Sequence, residues 1–296
     1  MLRPFFPLFM ETIMTIPAEA LQTIATETSR IALEYRKHLV PEVKPDMSIV
    51  TNGDKAVARA AHKALAELVP GIISIDEEDP QCRAGFDQAE WAAIIDPIDG
   101  THNYCSGLER FGTAIGIVHR GIMKYGLLSL PEFGTAILAG ADGLFSADLH
   151  SGTRTALTIP RHKAPHGKSV VSCAQKICRE RMLSDPKEGD EDNGNLWTGW
   201  LAADGSVVYS NYRLIEGRTA GYVGLINLWD IGGAIPFFEP MGLEMTWLGN
   251  GERCGTTVNE LIRGDGTKDH WKLKDNVFIA PTNGLQLLNG RIVVPT

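Results

Sequence analysis

The sequence is informative first through what it lacks. It has no apolar run long enough to span a bilayer, so we expect neither a transmembrane helix nor a membrane partner. It has no basic excess, because 28 Lys and Arg residues stand against 36 Asp and Glu residues and give a formal net charge of −8. That balance argues against general nucleic-acid binding, which recruits cationic side chains. Internal repeats and low-complexity tracts are also absent.

Cysteine is scarce and shows no functional spacing. The five cysteines are odd in number and form neither a CxxC pair nor a zinc-type arrangement with histidine. We therefore predict reduced thiols and a cytoplasmic location. The residues concerned are Cys82, Cys105, Cys173, Cys178 and Cys254.

The apolar N-terminal stretch, Met1–Met10, resembles a secretory signal only superficially. It contains two prolines, offers no small-residue cleavage site and leads directly into an amphipathic pattern. We interpret it as a flexible extension, or as the result of a start codon placed before Met10 or Met14.

The composition and the order of patterns predict a layered α/β protein. An apolar share of 44% and a charged share of 22% are ordinary for a globular chain, and 296 residues can form one large domain or two smaller ones. A soft boundary within 148–165 separates an α+β part, 1–148, from an α/β part, 149–296. Residues Ser184–Asn195 form a polar, acidic stretch that we interpret as a surface loop.

Hydrophobic periodicity predicts the individual elements. Three- and four-residue spacing after Pro17 indicates a helix that ends near Lys37, and a second helix is predicted at Asn52–Leu68. Short β segments broken by Gly and Pro between Gly112 and Ala147 indicate hairpins. Further strands are predicted at Ile72–Ile75, Ala92–Ile95, Ser169–Ser172, Leu243–Trp247 and Val277–Ala280, and further helices at Ala174–Leu183, at Ser206–Glu216 and from Asp230 onward.

The segment Trp91–Thr101, WAAIIDPIDGT, carries the clearest chemical signal. An apolar strand ends in Asp96 and Asp99, and a tight turn at Gly100 follows. Carboxylates at the C-terminal end of a strand lie where α/β folds bind ligands. Mg²⁺ prefers oxygen ligands, so two fixed carboxylates and a free carbonyl group form a plausible half of a metal site.

Three other interpretations of this segment compete. A plain Asp-Gly turn leaves Asp96 unexplained. An EF-hand loop with Gly100 at its sixth position places Ser106 where the bidentate Glu belongs. The haloacid-dehalogenase motif also ends in Asp-Gly-Thr but has one residue between its aspartates, whereas Pro97 and Ile98 make two here. That extra residue would misplace a covalent Asp nucleophile relative to its acid.

Three further acidic sites have ordinary explanations when each is taken alone. Ile72–Asp79, IISIDEED, ends a strand in four carboxylates and resembles a solvated turn. Asp230 in Asn227–Gly233 resembles a helix N-cap. Asp54 in Thr51–Asp54 fits a capping box. Packing such anions together costs free energy unless cations neutralise them, so their convergence would indicate metal.

Taken in order, these pieces resemble the inositol monophosphatase family. DPIDGT (Asp96–Thr101) is the specific element, and WDIGG (Trp229–Gly233) is the second. VTNGD (Val50–Asp54), DEE (Asp76–Glu78) and GS (Gly205–Ser206) stand in the family's order. The resemblance covers about residues 18 to 288, so it implies the layered αβαβα sugar-phosphatase fold as well as the site.

The resemblance implies a role for each matching residue. It makes two or three Mg²⁺ ions the cofactor, metal-activated water the nucleophile and a small phosphate monoester the substrate. Most ligands then lie in 1–148, whereas 149–296 contributes Asp230 and a loop that borders the substrate. The implied metal ligands are Glu77, Asp96, Asp99, Asp230 and the Ile98 carbonyl; the catalytic residues are Asp54, Thr101 and Glu77; the substrate-binding residues are Asp99, Gly100, Thr101, Gly205, Ser206 and Val207.

Departures from the family pattern concern the substrate more than the metal. Val223 stands where inositol-recognising members carry a Glu, and Ala202 and Ala203 replace the usual Arg-Ser. His102 follows the DGT motif where Thr or Asn is common, and Gly232 replaces the usual Ala.

We therefore expect a Mg²⁺-dependent phosphomonoesterase for a polyol, sugar or amino-alcohol phosphate, which forms a homodimer as family members commonly do. Histidinol phosphate is a substrate option, and nucleotide bisphosphates and fructose bisphosphate are others. From a different class, a catalytically silent phosphate-binding regulator remains open; loss of a metal ligand would favour it, and none is lost.

Overall fold

The computed structural model describes residues 14–45, 47–79, 85–160, 170–174, 200–267 and 269–282. The helices are α1 (Ala18–Arg36), α2 (Asn52–Leu68), α3 (Thr101–Cys105), α4 (Val207–Ile215), α5 (Leu228–Gly232), α6 (Ile235–Phe238) and α7 (Val258–Leu261). The strands are β1 (Pro41–Val43), β2 (Ile49–Thr51), β3 (Ile73–Asp76), β4 (Trp91–Asp99), β5 (Gly112–His119), β6 (Ile122–Leu130), β7 (Thr135–Gly140), β8 (Gly143–Asp148), β9 (Arg154–Ala156), β10 (Val170–Cys173), β11 (Trp200–Ala202), β12 (Gly221–Gly224), β13 (Leu243–Trp247) and β14 (Val277–Pro281).

Two sheets form the framework. Strands β3 to β9 lie in sequence order in a seven-stranded sheet, in which only the β3–β4 pair is parallel. The second sheet has the order β11-β10-β12-β14-β13, with β10 parallel to both of its neighbours. The hairpins predicted between Gly112 and Ala147 are confirmed as β5 to β8, because Gly and Pro interrupt alternating apolar segments there.

Apolar faces pack these elements into layers. One face of the seven-stranded sheet presents Ile95 and Leu127 to α1 and α2, which contribute Leu21 and Leu65. The other face joins α4 to α6 and the second sheet in one continuous cluster. On the far side of the second sheet, Val171 and Phe278 form a further apolar cluster. The predicted layered α/β fold is confirmed.

Local sequence signals determine several element boundaries. The predicted helix Asn52–Leu68 is confirmed as α2, and its capping box is present: the Thr51 hydroxyl accepts from the Asp54 amide at 3.3 Å, and the Asp54 carboxylate accepts from the Thr51 amide at 2.8 Å. Helix α5 begins at Leu228, two residues before the predicted Asp230 start, because Asn227 is its N-cap. The predicted helix Ala174–Leu183 beyond Ala174, and the loop Ser184–Asn195, lie outside the described residues.

The thiols differ from the prediction at one position. Cys105 and Cys254 are free, whereas Cys173 is disulfide-bonded. The prediction of reduced thiols is therefore wrong for Cys173.

Across the described ranges, no helix combines the length and apolar character needed to cross a membrane.

Candidate functional site

The C-terminal end of β4 positions two aspartates. Strand β4 pairs regularly with β5 up to Asp96, and the register then shifts before Asp99. The Thr113 hydroxyl donates to the Pro97 carbonyl at 2.7 Å and holds the irregular segment in place. Gly100 has φ +84°, and a Cβ there would lie about 3 Å from Ser206 and from two carbonyl oxygens. Only glycine fits this turn without strain.

Helix α5 brings Asp230 to the same place from the second half of the chain. Gly233 packs against β6 so closely that a Cβ on Gly126 would lie 2.3 Å from the Gly233 carbonyl oxygen. The Asp230 carboxylate accepts from the Asn227 amide at 2.7 Å. Within the described residues, ligand atoms of Asp96, Asp99 and Asp230 all lie within 4.8 Å of one another. We call these residues the three-acid cluster.

Gly232, where the family usually has Ala, does not limit this approach. A Cβ on Gly232 would meet the Met123 methyl carbon at 3.4 Å, which is ordinary contact. The packing of α5 on the sheet requires small residues at Gly116, Gly126 and Gly233, because backbone atoms face all three. The departure at Gly232 therefore leaves the three-acid cluster unaffected.

Asp96 is the least satisfied member of the cluster. Its side chain is buried, and neither carboxylate oxygen accepts a hydrogen bond from a donor group among the described residues, although the Asp230 carboxyl group is close enough to share a proton with it. Asp99, by contrast, accepts from the Ser206 hydroxyl and from the Val208 amide, the latter at 2.7 Å. A buried carboxylate without partners is costly, so Asp96 requires a proton or a cation. Oxygen-only donors fit a hard divalent cation such as Mg²⁺.

The electrostatics of the cluster agree with this requirement. Burial, and then the charges of Glu77, Asp99 and Asp230, raise the pKa of Asp96 well above its ordinary value. Burial raises the pKa of Asp99 to about 6. Burial and the charge of Asp99 raise the pKa of Asp230 to about 7. At neutral pH the cluster therefore retains protons unless cations replace them.

Glu77 lies at the rim of this arrangement. It follows β3, and its amide donates to the Ile95 carbonyl at 3.2 Å, which ties it to β4. Its carboxylate is not a member of the three-acid cluster; it lies 3.9 Å from the Lys44 ammonium group. Burial, and then the charge of Asp230, raise the pKa of Glu77 to about 8, so the two acids interact. Asp76 contacts His62 instead.

Asp54 and Thr101 meet although 47 residues separate them. The Thr101 hydroxyl lies 3.3 Å from an Asp54 carboxylate oxygen and 3.0 Å from the Ile98 carbonyl oxygen. The other Asp54 oxygen accepts from the Thr51 hydroxyl at 2.5 Å. Burial raises the pKa of Asp54, although the Thr51 hydrogen bonds oppose the rise. Because the Thr101 hydroxyl group is the donor in both contacts, its oxygen can still accept a hydrogen bond from a third group.

The loop Gly205–Val207 borders the three-acid cluster through Ser206, which is also the N-cap of α4. Sequence reasoning missed the residue that fixes this loop, Asp204. Its buried carboxylate accepts from the Ser172 hydroxyl at 2.9 Å and from the Ser210 hydroxyl at 3.0 Å. Only the Asp-Gly turn at 204–205 hinted at it, and such turns are common.

Lys44 is a second residue that sequence reasoning missed. Its ammonium group lies 2.8 Å from the Glu78 carboxylate and 3.9 Å from that of Glu77. It thus places a cation at the rim of a strongly acidic site. No motif marks Lys44 in the sequence, because its role depends on the fold bringing residues 44 and 77 together.

Comparison with known proteins shows which family has these motifs. A family model described as the inositol monophosphatase family matches residues 11–280. The chain belongs to the inositol monophosphatase family. The resemblance seen in the motifs is confirmed, and the prediction of a phosphoric monoester hydrolase is confirmed at the level of the family, because curated relatives are phosphatases.

Two relatives and one solved structure illustrate the match. A histidinol-phosphatase of Chlorobaculum parvum is 24% identical over 77% of this chain and 85% of its own length. A histidinol-phosphatase of Mycobacterium tuberculosis is 32% identical over 64% of this chain and 74% of its own length. An IMPase/NADP phosphatase, crystallised with Mg²⁺ and phosphate, is 17% identical with a TM-score of 0.67 over 91% of this chain and 92% of that one. The structural likeness supports the fold.

Proposed function

We propose that this inositol monophosphatase family member is a Mg²⁺-dependent phosphomonoesterase that uses metal-activated water on a small polyol, sugar or amino-alcohol phosphate. The observation that carries the proposal is the environment of the Asp96 carboxylate. Its two buried oxygens accept no hydrogen bond from a donor group among the described residues and face neighbouring carboxylates, an arrangement that requires a proton or a cation.

In this proposal, Asp96, Asp99 and Asp230 hold Mg²⁺, and Glu77 and the Ile98 carbonyl complete the ligand set. Mg²⁺ usually takes one or two protein carboxylates per ion, so four acids fit two or three ions better than one. When bound, the ions supply an activated water and neutralise charge on the phosphoryl group.

The remaining residues orient the reactants. Gly100 and Thr101 open α3, and their amides would donate to the phosphate, as expected at the N-terminal end of a helical turn. The Thr101 hydroxyl would accept a hydrogen bond from the nucleophilic water while it donates to Asp54. Gly205, Ser206 and Val207 would border the leaving group. Phosphoryl transfer needs positioning and charge neutralisation more than a covalent nucleophile.

Among these substrate classes, one observation favours an amino-alcohol phosphate such as histidinol phosphate. Val223 replaces the hydroxyl-binding Glu of inositol-recognising members and packs in an apolar cluster with Val171 and Phe278. A silent phosphate-binding regulator is disfavoured because the proposed ligands are all present. The homodimer and the cytoplasmic location stay predictions.

The test is phosphate release by the purified chain from a panel of esters. The panel contains inositol 1-phosphate, histidinol phosphate, fructose 1,6-bisphosphate and a nucleotide bisphosphate. We expect release with Mg²⁺, loss of release in EDTA, and recovery when Mg²⁺ is restored in excess. Equal release with and without chelator would refute the mechanism. No release from any ester, with Mg²⁺ bound, would favour the regulator.

A further inference from the structure

A small cavity adjoins the three-acid cluster. It has a volume of about 170 Å³, and Asp99 forms part of its wall. The Gly205–Val207 loop forms another part, so the cavity lies where the leaving group of a phosphate ester would project. The remaining described lining residues are Cys173, Ala174 and Tyr222.

Tyr222 is the unusual member of this wall. Its side chain is 1% exposed, and its hydroxyl has no hydrogen-bond partner among the described residues. Two other buried tyrosines show the usual arrangement: the Tyr104 hydroxyl donates to the Ala32 carbonyl at 2.6 Å, and the Tyr212 hydroxyl lies 2.9 Å from that of Thr135. A buried hydroxyl without a partner is destabilising, and a ligand can supply the missing partner.

A glycine on the same strand makes space for this hydroxyl. Strand β12 has glycine at 224, where a Cβ would lie 2.8 Å from the Tyr222 hydroxyl oxygen and 2.9 Å from the Ala174 methyl group. The absence of that Cβ leaves room for the phenol at the edge of the cavity. Burial, and then the charges of Asp230, Asp99 and Asp204, raise the pKa of Tyr222 well above its ordinary value, so the phenol is neutral at physiological pH.

The rest of the described wall is poor in hydrogen-bonding side chains. Ala174 and Val207 are apolar, and Ser206 is occupied by Asp99. Val223, the next residue along β12, is fully buried in the apolar cluster behind the wall. A polyol placed here would leave most of its hydroxyls unpaired, which a site of this kind rejects.

We propose that Tyr222 is a specificity residue whose hydroxyl binds the amino group of a small leaving alcohol that has few hydroxyls, as in an amino alcohol, and that this cavity disfavours polyols. The inference rests on the proposed function and deepens it.

The test compares wild type with Tyr222→Phe on two esters, histidinol phosphate and propyl phosphate, which lacks a second polar group. We expect the variant to raise KM for histidinol phosphate about tenfold or more, because the ammonium group of this ester donates a charge-assisted hydrogen bond, with little change in kcat. kcat/KM for propyl phosphate should not change. Tyr212→Phe is the matched control, because it also deletes a buried hydroxyl and should leave the ratio of the two esters unchanged.

A second variant keeps the inference falsifiable if the first is poorly folded. Gly224→Ala retains the phenol but displaces its hydroxyl, and it should produce the same loss of selectivity. An unchanged ratio in folded Tyr222→Phe, or a wild-type preference for inositol 1-phosphate over histidinol phosphate, would overturn the role of Tyr222. Mg²⁺-dependent phosphate release by wild type from any ester of the panel reports separately on the proposed function, so the two failures are distinguishable.

Discussion

Asp96→Asn should reduce Mg²⁺-dependent phosphate release by about 10³-fold or more while the fold persists. An amide keeps the shape of the side chain but removes a charge that the bound cations need, and this costs several kcal/mol of charge stabilisation in the transition state. Steady-state phosphate release at saturating Mg²⁺ measures the loss. Asp87→Asn, which changes an exposed aspartate, is the matched control and should retain activity. Wild-type rates in Asp96→Asn would contradict the proposed ligand set.

Although Asp96→Asn should lower activity, it should raise the stability of the metal-free protein. Folding raises the pKa values of Glu77, Asp99 and Asp230 to about 8, 6 and 7. Between about pH 4, near the unfolded pKa values, and pH 8 the folded chain therefore binds more protons than the unfolded chain. The free energy of unfolding should rise as pH falls through that window.

Removal of one charge relieves this repulsion. In EDTA at pH 8, the Tm of Asp96→Asn should exceed that of wild type by a few degrees, on the order of 2–4 °C per kcal/mol, and its Tm should depend less on pH. Mg²⁺ should stabilise wild type much more than the variant. Thermal melts from pH 5 to 8, with and without Mg²⁺, measure both effects. A lower metal-free Tm at pH 8 for the variant would show that Asp96 is not electrostatically frustrated.

Thr101→Val should lower kcat by about 10²–10⁴-fold with little change in KM. Valine preserves the shape of threonine but removes the hydroxyl that links Asp54 to the proposed water, and general base catalysis contributes rate enhancements of about that size. Thr101 is a better target than Asp54, because the Asp54 carboxylate also caps α2 through Thr51. Thr101→Ser retains the hydroxyl and should retain most of the activity. A Val variant as fast as the Ser variant would exclude this proton path.

The sequence could predict what depends on local signals. Helix α2 has the predicted bounds, because Thr51 and Asp54 form a cap that is visible in four residues. Strand β4 and the turn at Gly100 were predictable for the same reason, since an apolar run ends in residues of restricted backbone conformation.

Features that depend on tertiary proximity could not be derived from local pattern. Ser206 and Val208 bind Asp99 across more than 100 residues. Lys44, Asp204 and Tyr222 have no motif, and their surroundings come from different elements. The resemblance to the family predicted that Asp96, Asp99 and Asp230 lie together. Hydrophobic periodicity alone would have assigned Asp230 only the role of a helix cap.

The most direct measurement of the central claim is anomalous diffraction from crystals of the chain grown with Mn²⁺, a stand-in for Mg²⁺ that takes the same oxygen ligands. We expect a strong anomalous peak among the carboxylates of Asp96, Asp99 and Asp230, with both Asp96 oxygens ligated or hydrogen-bonded to ligated water. Crystals that bind Mn²⁺ elsewhere, and leave Asp96 without an ion or a partner, would contradict it.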